Sequence, residues 1–473
     1  MENQENAHHK LNKPKIIKLS KCYRLFLFFI MINLDCTMDI SSGIFSSSAK
    51  VIKKTLKLND AKFGGFGTAA SIGRIISSIL FFFLNKKVNR KYLIGIFLIL
   101  HSVFLFCFKI TNNAQILIII RCLQGCTHYA PSIYIPVWIN QFGLTQYKTI
   151  QITSLQLSQS IGKLIGHFII ISIGFENWKN GFLISGTYLL ILSVILLISN
   201  DNYFSKTLYP QKIESNKKKR TSCTIFEEQE TNNDNNYCLD LALLLQNPLY
   251  ILSLISRSII RGLITCLHYW FSDFLRNLVK GEGPLTITFC YAIICFAGPF
   301  GGILANAILR PCFGSYESRK ASWPLVIVQI IASIFAISIG LMRSLLTICI
   351  MTILFLIFNS SVVALIQGIL LSCVDINLSA TGFAFANVCT QILTAGPTPM
   401  IYGIINDRFK EKYPWLAMFC IMSLNLFAVP LLMYLAVLRN KKFEENENAK
   451  SDKEKELVDI DDLNEENQNI KTL

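Results

Sequence analysis

Two aspartates stand in an otherwise apolar run near the start of the chain. Asp35 and Asp39 are one helical turn apart, so a helix there presents both on one face. Ionisable groups inside apolar segments are costly and mark cavities, ion paths or paired partners. This chain has more of them, most of them basic: Arg74, Arg121, Lys163 and His167, then Arg257, Arg261, His268 and Asp273. Arg257 and Arg261 again lie one turn apart and cannot both face lipid cheaply. The excess of positive groups predicts a basic cavity suited to an anionic substrate. The competing reading places some of them, Arg74 and Arg257 above all, at helix ends with their heads among lipid headgroups. Asp39 with Arg121 is the expected proton-coupling pair, because a guanidinium favours the ionised carboxylate and protonation releases the partner. A structural ion pair between spans is the alternative. Arg121, Arg261 and His128, with the aromatic Tyr134, Trp138 and Trp270, are the candidate substrate contacts. Aromatic residues at span ends otherwise form interfacial belts, and His128 and His167 otherwise serve as hydrogen bonders between helices.

These residues need long apolar helices to carry them. Residues 61–84 and 92–108 are apolar and flank a basic turn with Lys86, Lys87, Arg90 and Lys91. About 20 apolar residues span a bilayer core, and short Lys/Arg-rich loops mark the cytosolic side. The stretch reads as a transmembrane hairpin with a cytosolic gating loop. Further spans are expected at 23–48, 114–140, 149–173 and 181–200. Six more follow at 249–276, 286–311, 322–342, 346–374, 379–405 and 415–439. The domain plan is therefore a cytosolic N-terminal tail (1–22), a six-helix bundle (23–200) and a disordered cytosolic linker (201–247). A second six-helix bundle (248–439) and a disordered acidic cytosolic tail (440–473) complete it. Ser158, Gly162 and Gly166 give the small-residue spacing that lets helices approach closely. Pro397 and Pro399 are expected to break the eleventh span and supply a hinge. Lys50, Lys53, Lys54 and Lys57 depart from the plan, because they fall where the chain should be outside.

Composition agrees with an all-α membrane protein. Of 473 residues, 52% are hydrophobic and only 16% charged, with mean hydropathy +0.45, whereas soluble domains carry about 25% charged residues. The net charge of +15 mostly flanks apolar segments, which argues against nucleic acid as a partner. The 15 cysteines are scattered without paired spacing, and no cluster of His, Asp or Cys suggests a metal, a cofactor or an enzyme. The first apolar run shows no signal-peptide cleavage site and reads as a retained span.

Two six-span halves joined by a polar linker resemble the major facilitator superfamily, and within it the Spinster family. The run Asn33-Leu34-Asp35-Cys36-Thr37-Met38-Asp39 is similar to that family's first-span N-L-x-x-x-M-D. Asn89-Arg90-Lys91-Tyr92-Leu93 is similar to its N-R-K-Y-L, and Gly301-Gly302-Ile303-Leu304 falls at the exit of span eight. Ala395-Gly396-Pro397-Thr398-Pro399-Met400-Ile401-Tyr402-Gly403-Ile404-Ile405-Asn406-Asp407 is close to its glycine–proline run before an S-D pair. The resemblance implies a twelve-helix fold and alternating access. It also implies lysophospholipid or sphingoid-phosphate substrates, with proton coupling through Asp39 and Arg121. The chain departs from the family at Ile40, where Arg is usual, at Lys86, where the turn is usually acidic, and at His128, where the fourth span usually has Glu. The reading is a proton-coupled secondary transporter for an anionic or lysolipid-like molecule. It would be monomeric, with both termini cytosolic, in an endolysosomal or plasma membrane. An organic-anion or amino-acid carrier is the first alternative, and a non-transporting receptor or scaffold the second.

Overall fold

The computed structural model describes residues 20–84, 88–144, 148–204, 237–279, 281–313, 322–374, 378–445 and 448, and they are helical with short connections. The first half holds α1 (Lys21–Ser47), α2 (Ala49–Thr55), α3 (Asp60–Leu84), α4 (Arg90–Cys107), α5 (Ala114–Phe142), α6 (Lys148–Ile173) and α7 (Trp178–Ile198). The second holds α8 (Tyr237–Gln246), α9 (Pro248–Leu278), α10 (Pro284–Phe313), α11 (Ser322–Leu341), α12 (Leu345–Ser372), α13 (Ser379–Thr390), α14 (Pro397–Phe409) and α15 (Leu416–Ser423). A 3₁₀ turn then leads into α16, residues 428–445. Leaving aside the short α2 and α8, and joining α13 to α14 and α15 to α16, this gives twelve membrane-length helices in two six-helix bundles. Among the described residues, eight helical stretches are long and apolar enough to cross a membrane by length and composition; α6 and α10 hold shorter apolar stretches, Leu157–Ile173 and Leu285–Gly301.

The structure adds two elements to the sequence reading. The helix α2 carries Lys53 and turns the chain between α1 and α3. The helix α8 falls inside the stretch expected to be a disordered linker, which corrects that expectation at 237–246: its apolar Leu244 packs with Tyr250 and Leu254 of α9. The tail residues beyond 448 lie outside the described residues.

Small residues bring the helices together where polar groups must meet. A Cβ on Gly162 of α6 would sit on the Cys36 carbonyl oxygen of α1, and one on Gly43 of α1 would sit on the Lys163 carbonyl of α6. The two backbones touch there, which is the packing mode of helices in lipid. Between α3 and α5, Gly73 and Gly125 do the same against Cys122 and Ala70. At the far end of α1 a ring cluster fills the first half: Phe45 lies 5.7 Å from Phe66 and from Phe108, and 5.4 Å from Phe182. The eleventh span breaks where its prolines suggest. A π-helical turn, Gln391–Ala395, separates α13 from α14, and Pro397 opens α14 at a position where its missing N–H costs nothing.

Gly162→Val should therefore lower the detergent melting temperature sharply, since forcing atoms into a packed seam costs about 1–3 kcal/mol. Gly65, whose Cβ would meet nothing within 4 Å, should accept Ala with no loss and a gain of up to about 1 kcal/mol. Thermal denaturation of the two variants checks both.

Candidate substrate cavity

A cavity between the halves collects charged side chains from five helices. Asp39 of α1, Arg74 of α3, Arg121 of α5, Lys163 of α6 and Arg261 of α9 all line it. His128, Tyr129 and Gln159 join from the first half, and Thr265, His268, Tyr291 and Gln391 from the second. Four cations thus face one carboxylate. The α1–α6 seam explains the placement: a Cβ on Gly162 would be 3.1 Å from Cβ of Asp39, and Lys163 follows on the same turn.

Asp39 is only 6% exposed, and among the described residues it makes no hydrogen bond or ion pair. Lys163, Arg74, Arg261 and Arg121 share the cavity with it. The expected Asp39–Arg121 partnership is therefore not a direct contact in this structure. Arg121 Nη1 instead donates to Gln124 Oε1 at 2.5 Å, and its guanidinium lies 4.4 Å from the Phe45 ring centroid. Gln124 in turn donates to Ser41 Oγ of α1 at 2.8 Å, so Arg121 is positioned from behind by a neutral network. Asp35 faces an adjoining space and accepts hydrogen bonds from Ser158 at 2.8 Å and Ser132 at 3.3 Å.

The other candidate residues divide. Arg261 lines the cavity and donates to Gln159 across the halves at 3.2 Å. His128 also lines it, with neither ring nitrogen hydrogen-bonded. Of the aromatic residues at the span ends, Tyr269 lines it, whereas Tyr134, Trp138 and Trp270 do not, which corrects their assignment as substrate contacts. Each is at most 1% exposed: Trp138 Nε1 donates to the Tyr203 carbonyl, Trp270 Nε1 donates to the Pro399 carbonyl, and Tyr134 stacks on Phe204. Large rings whose polar atoms reach backbone carbonyls serve as packing anchors. Pro399 lines the cavity at the start of α14. Arg74 and Arg257 are turned inward, Arg257 being 1% exposed, so neither reaches headgroups. Of the gating loop, Lys86 and Lys87 lie outside the described residues. Lys91 is tied to the end of α7 through Asp201 at 2.6 Å and the Ser199 carbonyl, and Arg90 stands 5.8 Å over Tyr134.

The end of the bundle where α1 finishes is closed by a cross-half charge cluster. Lys53 Nζ lies 2.7 Å from Asp60 of its own half and 2.8 Å from Asp273 of the other. Lys410 Nζ reaches Asp60 at 2.8 Å, and Asn406 donates to it at 3.1 Å. In return the backbone N–H groups of Asp60 and Ala61 donate to the Asp407 carboxylate at 3.0 and 2.8 Å, so a carboxylate of one half caps the first turn of α3 in the other. Burial weighs against the charged Lys53 amine, yet Asp273 and Asp60 outweigh it and hold it above the ordinary lysine value. Lys410 is held up likewise: burial opposes its charge, and the hydrogen bond to Asp60 prevails. This explains one of the four anomalous lysines after the first span. Lys53 is there to bridge carboxylates, not to mark topology. Nothing local in the sequence joins Asp60 to residues almost 350 positions away.

Comparison with known proteins agrees with this architecture. The Major Facilitator Superfamily profile matches residues 33–397. Among solved structures, a bacterial homologue of the human lysosomal transporter Spinster, in an inward-facing and unoccupied conformation, superposes with a TM-score of 0.63 at 14% identity, covering 90% of this chain and 99% of that one. The xylose transporter XylE of E. coli, partially occluded and inward open, gives 0.64 at 11% identity, covering 87% and 99%. The nucleoside transporter NupG gives 0.56 at 14%, covering 89% and 98%. No curated protein sequence matches the chain. At these identities the structures speak for the fold, and the profile for the family: with most of its length matched and a multi-pass helical fold, the chain belongs to the Major Facilitator Superfamily of transporters and is not an enzyme.

Proposed function

We propose that the protein is a proton-coupled carrier of an anionic small molecule, working by alternating access between its two halves. The observation that carries this is the cavity itself, where four cations face one carboxylate and, among the described residues, none of the five makes an ion pair. With Asp39 ionised the five side chains sum to about +3, and with Asp39 protonated to about +4, so proton uptake and anion binding favour each other. Such linkage is reciprocal and suits symport. Asp39 takes the proton, Arg121 and Arg261 hold the anion from opposite halves, and His128 offers a neutral ring to the same space. The breaks at Pro397 and Pro399 let α14 tilt against α13 as the halves rock.

The charge cluster at the α1 end is the outer gate in its closed state. The basic residues of the N-terminal tail and of the 85–91 turn favour the cytosol for the opposite end, which supports an inward-facing reading with both termini cytosolic. The substrate is an amphipathic, lysolipid-like anion, in keeping with the Spinster-like motifs. A compact organic anion is the second reading, favoured by the polar lining from Gln159, Thr265 and Gln391. The protein acts as a monomer in an endolysosomal or plasma membrane.

Breaking the gate should follow burial. Asp60→Ala takes one of the two carboxylates from Lys53 and the shared acceptor from Lys410 and Asn406, and should cost about 3–5 kcal/mol. Lys410→Ala removes a side chain that is 41% exposed and should cost no more than about 1 kcal/mol. The sign with pH follows from the lysines. Their folded pKa values lie above the ordinary 10.5, so their contribution is complete at neutral pH and disappears as pH rises past 10.5 through the folded values. Melting curves of the wild type between pH 7 and 11 should stay level in this respect until the alkaline end, and Lys53→Gln should flatten that fall.

Uptake into proteoliposomes tests the transport reading, with and without an inward proton gradient. The panel is a lysophospholipid, a sphingoid phosphate, a dicarboxylate and a neutral sugar. The expected result is gradient-driven uptake of a lipid anion by the wild type, and at least a tenfold loss of gradient dependence in Asp39→Asn. Uptake of the dicarboxylate alone selects the organic-anion reading. Gradient-independent uptake by both proteins would remove the proton role of Asp39.

A further inference from the structure

Beside the central cavity lies a smaller space on the side toward the N-terminus of α9. Arg261, Tyr129 and Gln159 border both, so the two are contiguous. Arg257, one turn before Arg261 on α9, borders only the smaller one, together with Asn387 of α13. Their backbone positions, four residues apart, are separated by about 6 Å along the helix axis.

We infer that Arg257 and Arg261, with Asn387, form a second oxyanion-binding station adjoining the central cavity. Arg257 is 1% exposed. Its Nη2 donates to Asn387 Oδ1 at 3.0 Å and its Nη1 to Thr390 Oγ1 at 3.3 Å, while its Nε is buried with no partner. The guanidinium stands 5.1 Å from the Phe383 ring centroid. Every one of these partners is neutral, and among the described residues no carboxylate lies within ion-pair distance of either arginine. The acid that borders the space, Asp35, is already held by Ser158 and Ser132.

A purely structural role would have Arg257 tie α9 to α13. That role needs two donors and no charge, so an uncharged amide would fill it without the cost of burying a cation. The buried charge is accounted for when an anion visits. A planar fork with a free donor suits the paired oxygens of a carboxylate or phosphate, and Arg261, common to both spaces, passes the group between them. With two cations against four in the central cavity, the station is the weaker of the two sites. This inference rests on the anion-carrier reading, and its test reads binding rather than transport.

The test is thermal stabilisation of the purified full-length protein by inorganic phosphate, with chloride holding ionic strength constant. The wild type should show two saturable steps. Arg121→Gln should remove the tighter step and leave the weaker. Arg257→Gln should remove the weaker step. Arg257→Lys, which keeps the charge and loses the fork, should weaken that step at least tenfold without lowering the ligand-free melting temperature; it decides the matter if the Gln variant does not fold. A single step in the wild type, no phosphate-dependent shift, or two unchanged steps in both Arg257 variants would overturn the station. Two steps with the expected losses, alongside a silent uptake panel, would uphold the station and overturn the carrier reading instead.

Discussion

Asp60 holds the two halves together at one end, and the cavity owes its enclosure to that contact. Its carboxylate receives Lys53, Lys410 and Asn406, while its own backbone N–H is taken by Asp407. Chemistry of this kind suits a contact that must be made and undone. A buried ion pair is close to neutral against its hydrated, separated state, because desolvation offsets most of the attraction. An apolar seal of equal area would favour closure much more strongly. Charges therefore allow two arrangements of similar free energy, provided that every member is satisfied while the end is closed. The cluster meets that condition: Lys53 touches two carboxylates, and Asp273 is also bound by Asn277 at 3.3 Å.

Beneath this cluster the contact between halves becomes backbone-deep. Tyr269 Oη donates to the Phe63 carbonyl at 2.7 Å, Thr68 Oγ1 to the Gly396 carbonyl at 2.9 Å and Ser71 Oγ to the Ala395 carbonyl at 3.2 Å. The carbonyls of Gly396 and Ala395 come from the π turn and its exit, where the regular ladder is interrupted and acceptors are freed. The break in the eleventh span thus serves packing as well as bending. A continuous α-helix there would engage those carbonyls internally and leave Thr68 and Ser71 of α3 only the Gly64 and Gly67 carbonyls of their own helix, at 3.5 and 3.2 Å.

Much of the fold was legible because the bilayer imposes length and polarity on every span. Twelve apolar runs, the basic turn and the glycine spacing in α6 suffice for the architecture. Of the ionisable residues singled out inside the runs, Asp39, Arg74, Arg121, Lys163, Arg261 and His268 share one space, while Asp35, His167, Arg257 and Asp273 lie outside it. The aromatic candidates and the partner of Asp39 were harder to read, because both depend on side-chain direction. Tyr134, Trp138 and Trp270 have the composition of cavity aromatics and the geometry of anchors, and no one-dimensional pattern separates the two. The same limit made Arg121 the obvious partner of Asp39, whereas Lys163, Arg74 and Arg261 share the cavity with it as well. The helix α8 was hidden inside a polar stretch, because ten residues are too few for their periodicity to stand out.

The distribution of charge between the two halves follows a pattern that bears on the mechanism. The first helix of the first half carries two carboxylates one turn apart, and the first long helix of the second half carries two guanidinium groups one turn apart. Yet among the described residues no ion pair joins Asp35 or Asp39 to Arg257 or Arg261. Asp35 is held by hydroxyls, Arg257 by an amide and a hydroxyl, and Arg261 by Gln159. Direct pairing would lock the halves and fill the cavity with its own counter-ions, leaving nothing for a substrate to neutralise. Holding each charge on neutral partners keeps the attraction between the helices long-ranged and the cations open to a ligand. The cost is an empty cavity of strong positive potential, which must stay hydrated or keep Asp39 ionised to close. In the reading proposed above, a carrier built this way would return empty most easily with Asp39 deprotonated and bind an anion most tightly with Asp39 protonated. Coupling would then need only charge balance within the cavity and no direct Asp39–Arg121 bond.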